Sequence, residues 1–434
     1  MNKALQILSF TLFVFLVSCE AEFPISLEPT IEEQVSQGSE SAFMVSQSKG
    51  EQIKGEYLVM FKEDLSYLER LDEQTLASVD MTNRSTRSEI SSVRAERETS
   101  IKSFLVSTLN DHHIQAQTIE AIYDIGRMKG GLVSMSEEDA VEMAQDERIA
   151  SVEPNELIAL NLTPGAKGHL IPADDGPSKQ WTTYNINAIG GTRDHSNKDT
   201  WAFIIDSGID LDHPDLNVNK FFSRSFVPYE NDADDGFGHG THVAGIIGAK
   251  NNGSGVVGVA SGATLVGVKV LDRNGYGSKD YLMQALSYVA WACIPGDVVN
   301  ISLGTDKSNL INNAILNLKN QHGVFFTIAA GNSARDAKDY SPANLMDANI
   351  HVVGAINIYN WLTNFSNYGS SVGFLAPGAG IYSTYKDGQY AWMDGTSMAA
   401  PHVAGILLVS NGQYRVKKQI KLPCNNYAKI ISQY

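Results

Sequence analysis

From about residue 200 onward, short unbroken apolar runs alternate with longer stretches that mix apolar and polar residues. The runs are "WAFII" (201 to 205), "ATLVGVKVL" (263 to 271), "VVNISL" (298 to 303), "VFFTIAA" (324 to 330) and "IHVVGAI" (350 to 356). A strand with one wet face would alternate apolar and polar positions, so continuous runs of this length predict strands covered on both faces. Helices are predicted between them, from His239, near 279 to 292, near 308 to 321, and from Ser397. Strand and helix in alternation give an α/β domain with a mainly parallel sheet and helices on both faces.

The pattern upstream is different. "GEYLVMF" (55 to 61) reads as a strand, residues 91 to 111 as an amphipathic helix, and "IEAIYDI" (119 to 125) and "GGLVSM" (130 to 135) as strands. Residues 136 to 147 open with a Ser-x-x-Asp cap and read as a helix, and "IASVEPN" (149 to 155) closes as a strand. The order β-α-β-β-α-β predicts a small ferredoxin-like α+β domain over 53–160. Before it, residues 20–52 are acidic and rich in Ser and Gln, the composition of a flexible linker. After it, the Pro-, Gly- and Asp-bearing stretch 161–179 separates it from a second domain over 180–434.

Residues 1–19 place Lys3 before the apolar run Ala4 to Val17 and end in "LVSC", a secretory signal too short to span a bilayer comfortably. This ending resembles the lipobox of bacterial lipoproteins, which implies lipidation of Cys19 and a membrane tether. A plain signal peptide is the alternative. Cys293 and Cys424 are the other two cysteines, and the sequence leaves open whether they pair. The chain has 434 residues, 43% apolar and 19% charged, as expected for folded globular domains. Its net charge of -16 argues against a nucleic-acid partner, which would need clustered Lys and Arg.

In sheets of this kind ligands bind beyond the carboxyl ends of the strands, so polar residues just after strands carry most weight. Asp206 follows "WAFII" in "DSGIDLDHPDL", His239 opens a helix in "GFGHGTHVAG", and Ser397 opens one in "GTSMAAPHVAG". A serine hydroxyl is a weak nucleophile until an imidazole takes its proton, and that imidazole needs a carboxylate to orient it. Singly, the three have ordinary readings as turn former, surface histidine and helix cap. Together, in this order, the three motifs resemble those of the subtilases, the subtilisin and proteinase K family, over roughly residues 180 to 410.

The resemblance implies a secreted serine endopeptidase that acts on proteins or peptides through an acyl-enzyme. Asp206, His239 and Ser397 would be the catalytic triad, with Asn332 of "AAGN" as an oxyanion donor beside the Ser397 N–H. Ser302, Leu303 and Gly304 in "NISLG", with Gly275 and Gly277 in "GYGS", would pair with an extended substrate. The 53–160 module resembles the family's inhibitory propeptide, an intramolecular inhibitor released by self-processing in the 161–179 loop. A lipid on Cys19 would then hold only the precursor to the cell envelope, leaving the mature enzyme periplasmic, at the surface or extracellular.

No cofactor is needed for this chemistry. The resemblance does imply a structural calcium at Asp215 and Asn252, with main-chain oxygens near Lys250, Ser254 and Val256; a solvated turn is the alternative. Asp232, Asp234 and Asp235 read as a solvated acidic loop. A catalytically inactive peptide-binding module is the competing functional reading, disfavoured because all four catalytic positions are intact. Past Ser410 the chain is polar and basic and lacks the further helices of relatives, which reads either as a short natural ending or as a shifted frame.

Overall fold

The computed structural model describes residues 50–65, 87–114, 119–160 and 176–433. The signal, nearly all of the linker and most of the 161–179 loop, with Cys19 among them, lie outside the described residues. The first domain runs β1 (Gln52–Phe61), α1 (Arg87–Asp111), β2 (Ile119–Ile125), β3 (Met128–Ser134), α2 (Glu137–Met143) and β4 (Ile149–Ala159). Its antiparallel sheet has the order β4-β1-β3-β2, the ferredoxin-like arrangement. Ser136 caps α2 with a complete capping box, its hydroxyl accepting from Asp139 N–H.

The second domain follows with β5 (Ala202–Asp206), α3 (His239–Gly248), β6 (Leu265–Lys269), β7 (Tyr276–Ser278), α4 (Lys279–Ala292), β8 (Val298–Ile301), α5 (Asn309–His322) and β9 (Phe325–Ala329). It continues with β10 (Ile350–Ile356), β11 (Val372–Pro377), the hairpin β12 (Ile381–Tyr385) and β13 (Gln389–Met393), α6 (Thr396–Ser410), β14 (Arg415–Lys421) and β15 (Tyr427–Ser432). The large sheet runs β14-β15-β11-β10-β9-β8-β5-β6, with Arg224–Ser225 at the far edge. Every neighbouring pair in it is parallel except β14 with β15.

Continuous apolar strands bury both faces of this sheet. Phe203 and Ile205 face one core, and Ala202 and Ile204 the other. α5 shows the ordinary amphipathic solution, burying Leu310, Ile311, Ala314, Ile315 and Leu318 and ending at Gly323 in the left-handed region. α6 is apolar on every side, and Thr396 through Leu408 are all buried. A helix so enclosed cannot shift without opening a cavity, at about 2–5 kcal/mol for each large side chain lost. That rigidity fixes whatever its first turn carries.

The tail departs from the sequence reading. β15 adds to β11 in parallel, pairing Phe374 with Lys429 and Leu375 with Ile430, and buries Ala428, Ile430 and Ile431. β14 closes the edge with exposed Arg415, Lys417, Lys418 and Lys421, charges that discourage further strand addition. Gln433 then anchors on Gly191 O and Val259 O at 3.0 and 3.2 Å. The residues after Ser410 therefore add two strands to the edge of the sheet. Cys293 is buried at the end of α4.

Candidate active site

Three loops at the carboxyl ends of neighbouring strands and two helix starts bring the chemistry together. Asp206, the last residue of β5, is fully buried, and its Oδ1 accepts from Ser207 N–H and from His239 Nδ1, both at 2.7 Å. The bond to Nδ1 fixes the tautomer that leaves Nε2 as the basic nitrogen. His239 is 1% exposed. Burial lowers its pKa, but the charge and hydrogen bond of Asp206 and the charge of Asp235 outweigh this and leave it raised above 6.5. Gly240 lets α3 come this close, since a Cβ there would lie 2.0 Å from Gly208 O.

Ser397 lies in the first turn of α6, where backbone N–H groups have no intrahelical acceptor. The cap is Gly395, so Ser397 itself sits one residue inside the helix. Its hydroxyl donates to Ser302 O at 3.1 Å, and the Ser302 hydroxyl donates back to Ser397 O at 3.1 Å. Ser302 is held in turn by Asn300, and Asn300 by Thr327. A polar residue inside an otherwise apolar strand was the sequence signal for both. In this arrangement the Ser397 hydroxyl is engaged with Ser302 O.

Asn332 follows β9. Its Oδ1 accepts from Thr396 N–H and the Thr396 hydroxyl, both at 2.9 Å, which assigns the amide and leaves the amino group as the donor end. Asn332, His239 and Ser397 line one cleft with Ser302, Leu303 and Gly304. A serine hydroxyl, an imidazole and a side-chain amide thus share the walls of one cleft.

The first domain reaches into the same cleft. β4 pairs antiparallel with β7, setting Leu157, Ile158 and Ala159 opposite Ser278, Gly277 and Tyr276. Leu160 N–H then donates to Gly275 O at 3.1 Å, and Ala159 and Leu160 line the cleft wall. A Cβ on Gly277 would meet Val270 O at 2.1 Å, so the lack of a side chain keeps β7 flat against its neighbour. Upstream on β4, Glu153 accepts from Leu310 N–H and the Ser308 hydroxyl at the start of α5. Asn155 accepts from Asp280 N–H at the start of α4. These two caps hold the domain on two helix N-termini, and nothing in the local sequence of β4 shows their targets.

Asp280 also accepts from the Tyr123 hydroxyl at 2.7 Å across this interface. Burial, helped by Glu56 and Glu120, pushes its carboxyl up to about 6 against the bonds from Tyr123 and Gln284. Separation of the domains exposes Asp280 and returns it towards the ordinary 3.8. Association therefore takes up a proton between pH 4 and 6, so affinity is highest below that window, falls through it and is flat above. The dissociation constant of the separated domains should rise about tenfold or more from pH 4 to 7. Size-exclusion measurements across that range should show this rise, and Asp280→Asn should flatten it.

The acidic loop at 232–235 is not all solvated. Asp235 is 3% exposed and accepts five hydrogen bonds near the start of α3, whereas Asp232 and Asp234 are exposed. At Asp215, also buried, Oδ1 accepts from Asn252 and Oδ2 from Val256 N–H and the Tyr390 hydroxyl. Gln180, which the sequence reading did not single out, donates from its amide to Lys250 O and Val256 O.

The subtilase family model matches residues 198–415. Over 413 residues the chain is 30% identical to a thermophilic serine proteinase of Bacillus sp. (strain AK1), covering 94% of this chain and 89% of that one. It is 40% identical over 230 residues to Proteinase T of Parengyodontium album, covering 52% and 73%. The crystal structure of a cold adapted subtilisin-like serine proteinase superposes with a TM-score of 0.51 and 31% identity, covering 58% of this chain and 98% of that one. The chain belongs to the subtilase family and is a serine endopeptidase.

Proposed function

We propose that Ser397, His239 and Asp206 hydrolyse peptide bonds as nucleophile, general base and orienting carboxylate. The observation that carries this reading is the 2.7 Å bond from His239 to Asp206, beside Ser397 in a cleft already occupied by an extended strand. His239 takes the Ser397 proton as the hydroxyl attacks the carbonyl, and later gives it to the leaving amine. The Asn332 amino group and the Ser397 N–H receive the developing oxyanion. Casein digestion tests the reading: the processed protein should degrade casein and lose that activity on treatment with a fluorophosphonate. A protein that binds casein but leaves it intact would favour the peptide-binding module.

Residues 53–160 serve as an inhibitory propeptide, because β4 takes the place of a substrate strand on β7. The chain is made as a zymogen and cleaves itself between Leu160 and Gln180. A lipid on Cys19 sits on the part that this cleavage removes, so processing releases the exported enzyme from its membrane.

Calcium fits the Asp215 site. Its carboxyl is buried and pushed up to about 6 by that burial, which marks a charge short of compensation. Around it stand the amides of Asn252 and Gln180 and the main-chain oxygens of Lys250 and Val256. A half-turn of each amide, giving up the bonds its oxygen accepts from Gly253 N–H or from Ser254, exchanges N for O and gives the all-oxygen donor set calcium takes. The bound ion would hold the N-terminal stretch at Gln180 to the domain. Removing calcium should lower Tm by about 5–10 °C, for a site otherwise near saturation. Asp215→Asn should abolish the difference between calcium and chelator in a thermal melt.

A further inference from the structure

The buried Asp235 has no part in the three-residue account above, yet it is tied to both ends of the bond between Asp206 and His239. Its Oδ1 accepts from the Ser207 hydroxyl at 2.8 Å, Gly238 N–H at 2.8 Å and Phe237 N–H at 3.1 Å. Its Oδ2 accepts from Thr241 N–H at 2.8 Å and the Thr241 hydroxyl at 2.6 Å. Ser207 follows Asp206 directly, and its hydroxyl also accepts from Gly240 N–H at 3.0 Å. Thr241 in turn accepts from Asp210 N–H at 2.9 Å. One carboxylate thereby ties the loop after Asp206 to the first turn of α3 on either side of His239.

We propose, resting on the serine-peptidase reading, that Asp235 is a positioning residue for His239, its buried carboxylate acting through Ser207 and Thr241 to hold the imidazole against Asp206. All five partners give it a hydrogen, so the acceptor-only anion fits this pocket and the acid does not. The five donors converge where a small displacement would be most costly to turnover. Burial pushes the Asp235 carboxyl above its ordinary value, and the bonds from Gly238, Thr241 and Ser207 offset part of that cost.

A second contribution is electrostatic. The charged and titratable groups around His239 are Asp206 from β5, Asp235 from the preceding loop and His242 one turn further along α3. Lys269 from β6 lies nearby, donating to Ser207 O at 2.6 Å and paired with Glu230 at 2.9 Å. Asp235 adds to Asp206 in favouring the imidazolium that forms as Ser397 gives up its proton. Removing its charge should therefore lower the affinity of His239 for a proton.

The test compares wild type, Asp235→Asn and Ser207→Ala as full chains, through the pH dependence of self-cleavage and of peptide hydrolysis after processing, with active sites counted by fluorophosphonate. Asp235→Asn should lower kcat per active site by about 10- to 100-fold, leave KM within about threefold, and move the acid limb to lower pH. Ser207→Ala removes the bridge but keeps the charge, so it should lower kcat and leave the limb in place. If Asp235→Asn lowers only the amount of active enzyme, with kcat per site and the limb unchanged, Asp235 supports folding alone and the proposal is overturned. Should Asp235→Asn not process fully, the first-order rate of its own cleavage against pH reads the same base. A wild-type chain that neither cleaves itself nor takes up the probe would defeat the serine-peptidase reading instead.

Discussion

Replacing Ser397 with Ala should leave the chain at full length, with its first domain still seated on β7. The substitution removes one oxygen from a site whose other contacts are made by Ser302, Thr396 and Asn332, so the fold should persist. The chemistry should not, because the neighbouring hydroxyl at the start of α6, that of Thr396, is held between Asn332 Oδ1 and Gly331 N–H. The expected fall in kcat is on the order of 10⁶-fold, the loss known for the nucleophile of another subtilase rather than a figure drawn from this structure. Self-cleavage depends on the same step, and a gel of purified protein reads it directly. A Ser397→Ala chain that still matures in the absence of wild-type enzyme would rule out this serine as the nucleophile.

Asn332→Ala should give the second largest loss, about 10²- to 10³-fold in kcat, with little change in KM. The reasoning is that the amino group gains most of its value when the carbonyl oxygen becomes an anion, so the ground state loses little. The structure adds a second cost. Asn332 Oδ1 is the acceptor for Thr396 N–H and its hydroxyl, and truncation strands both donors beside the first turn of α6. Asn332→Asp keeps those two contacts but sets a carboxylate oxygen and its charge where the donor stood, so it should lose at least as much in kcat while melting closer to wild type. Steady-state kinetics of both variants with one peptide substrate separate the two effects. Unchanged kcat in both would remove Asn332 from the reaction.

Much of this was legible in the chain because the strands are apolar throughout and the reactive residues stand just past them. "IHVVGAI" is β10 residue for residue, and the helices near 279 and 308 fall within one position of α4 and α5. The rest depends on contacts between distant segments. Asp235 looks like one of three loop acids until Ser207 and Thr241 are brought to it by the packing of α3 on β5. Glu153 and Asn155 sit among strand residues, and their role as caps exists only because the first domain docks on α4 and α5. Gln180 reaches Val256 over 76 residues of chain.

The tail is a different kind of miss. "YAKIIS" has the β-branched, half-apolar pattern of a strand, and a basic run precedes it. Those charges belong to an exposed edge, and an edge strand is where Lys and Arg are expected. Reading the two segments as a hairpin would have found the last strands of the sheet.

The central claim is that Ser397 becomes a reactive nucleophile in a cleft that the first domain fills until the chain is cut. Labelling with a fluorophosphonate, followed by mass mapping of the adduct, tests both halves in one measurement. The processed enzyme should carry a single adduct on the peptide containing Ser397, and the uncut chain should label at least about tenfold more slowly, since β4 and Leu160 occupy the cleft. An adduct on another residue, or equal labelling before and after processing, would contradict the account.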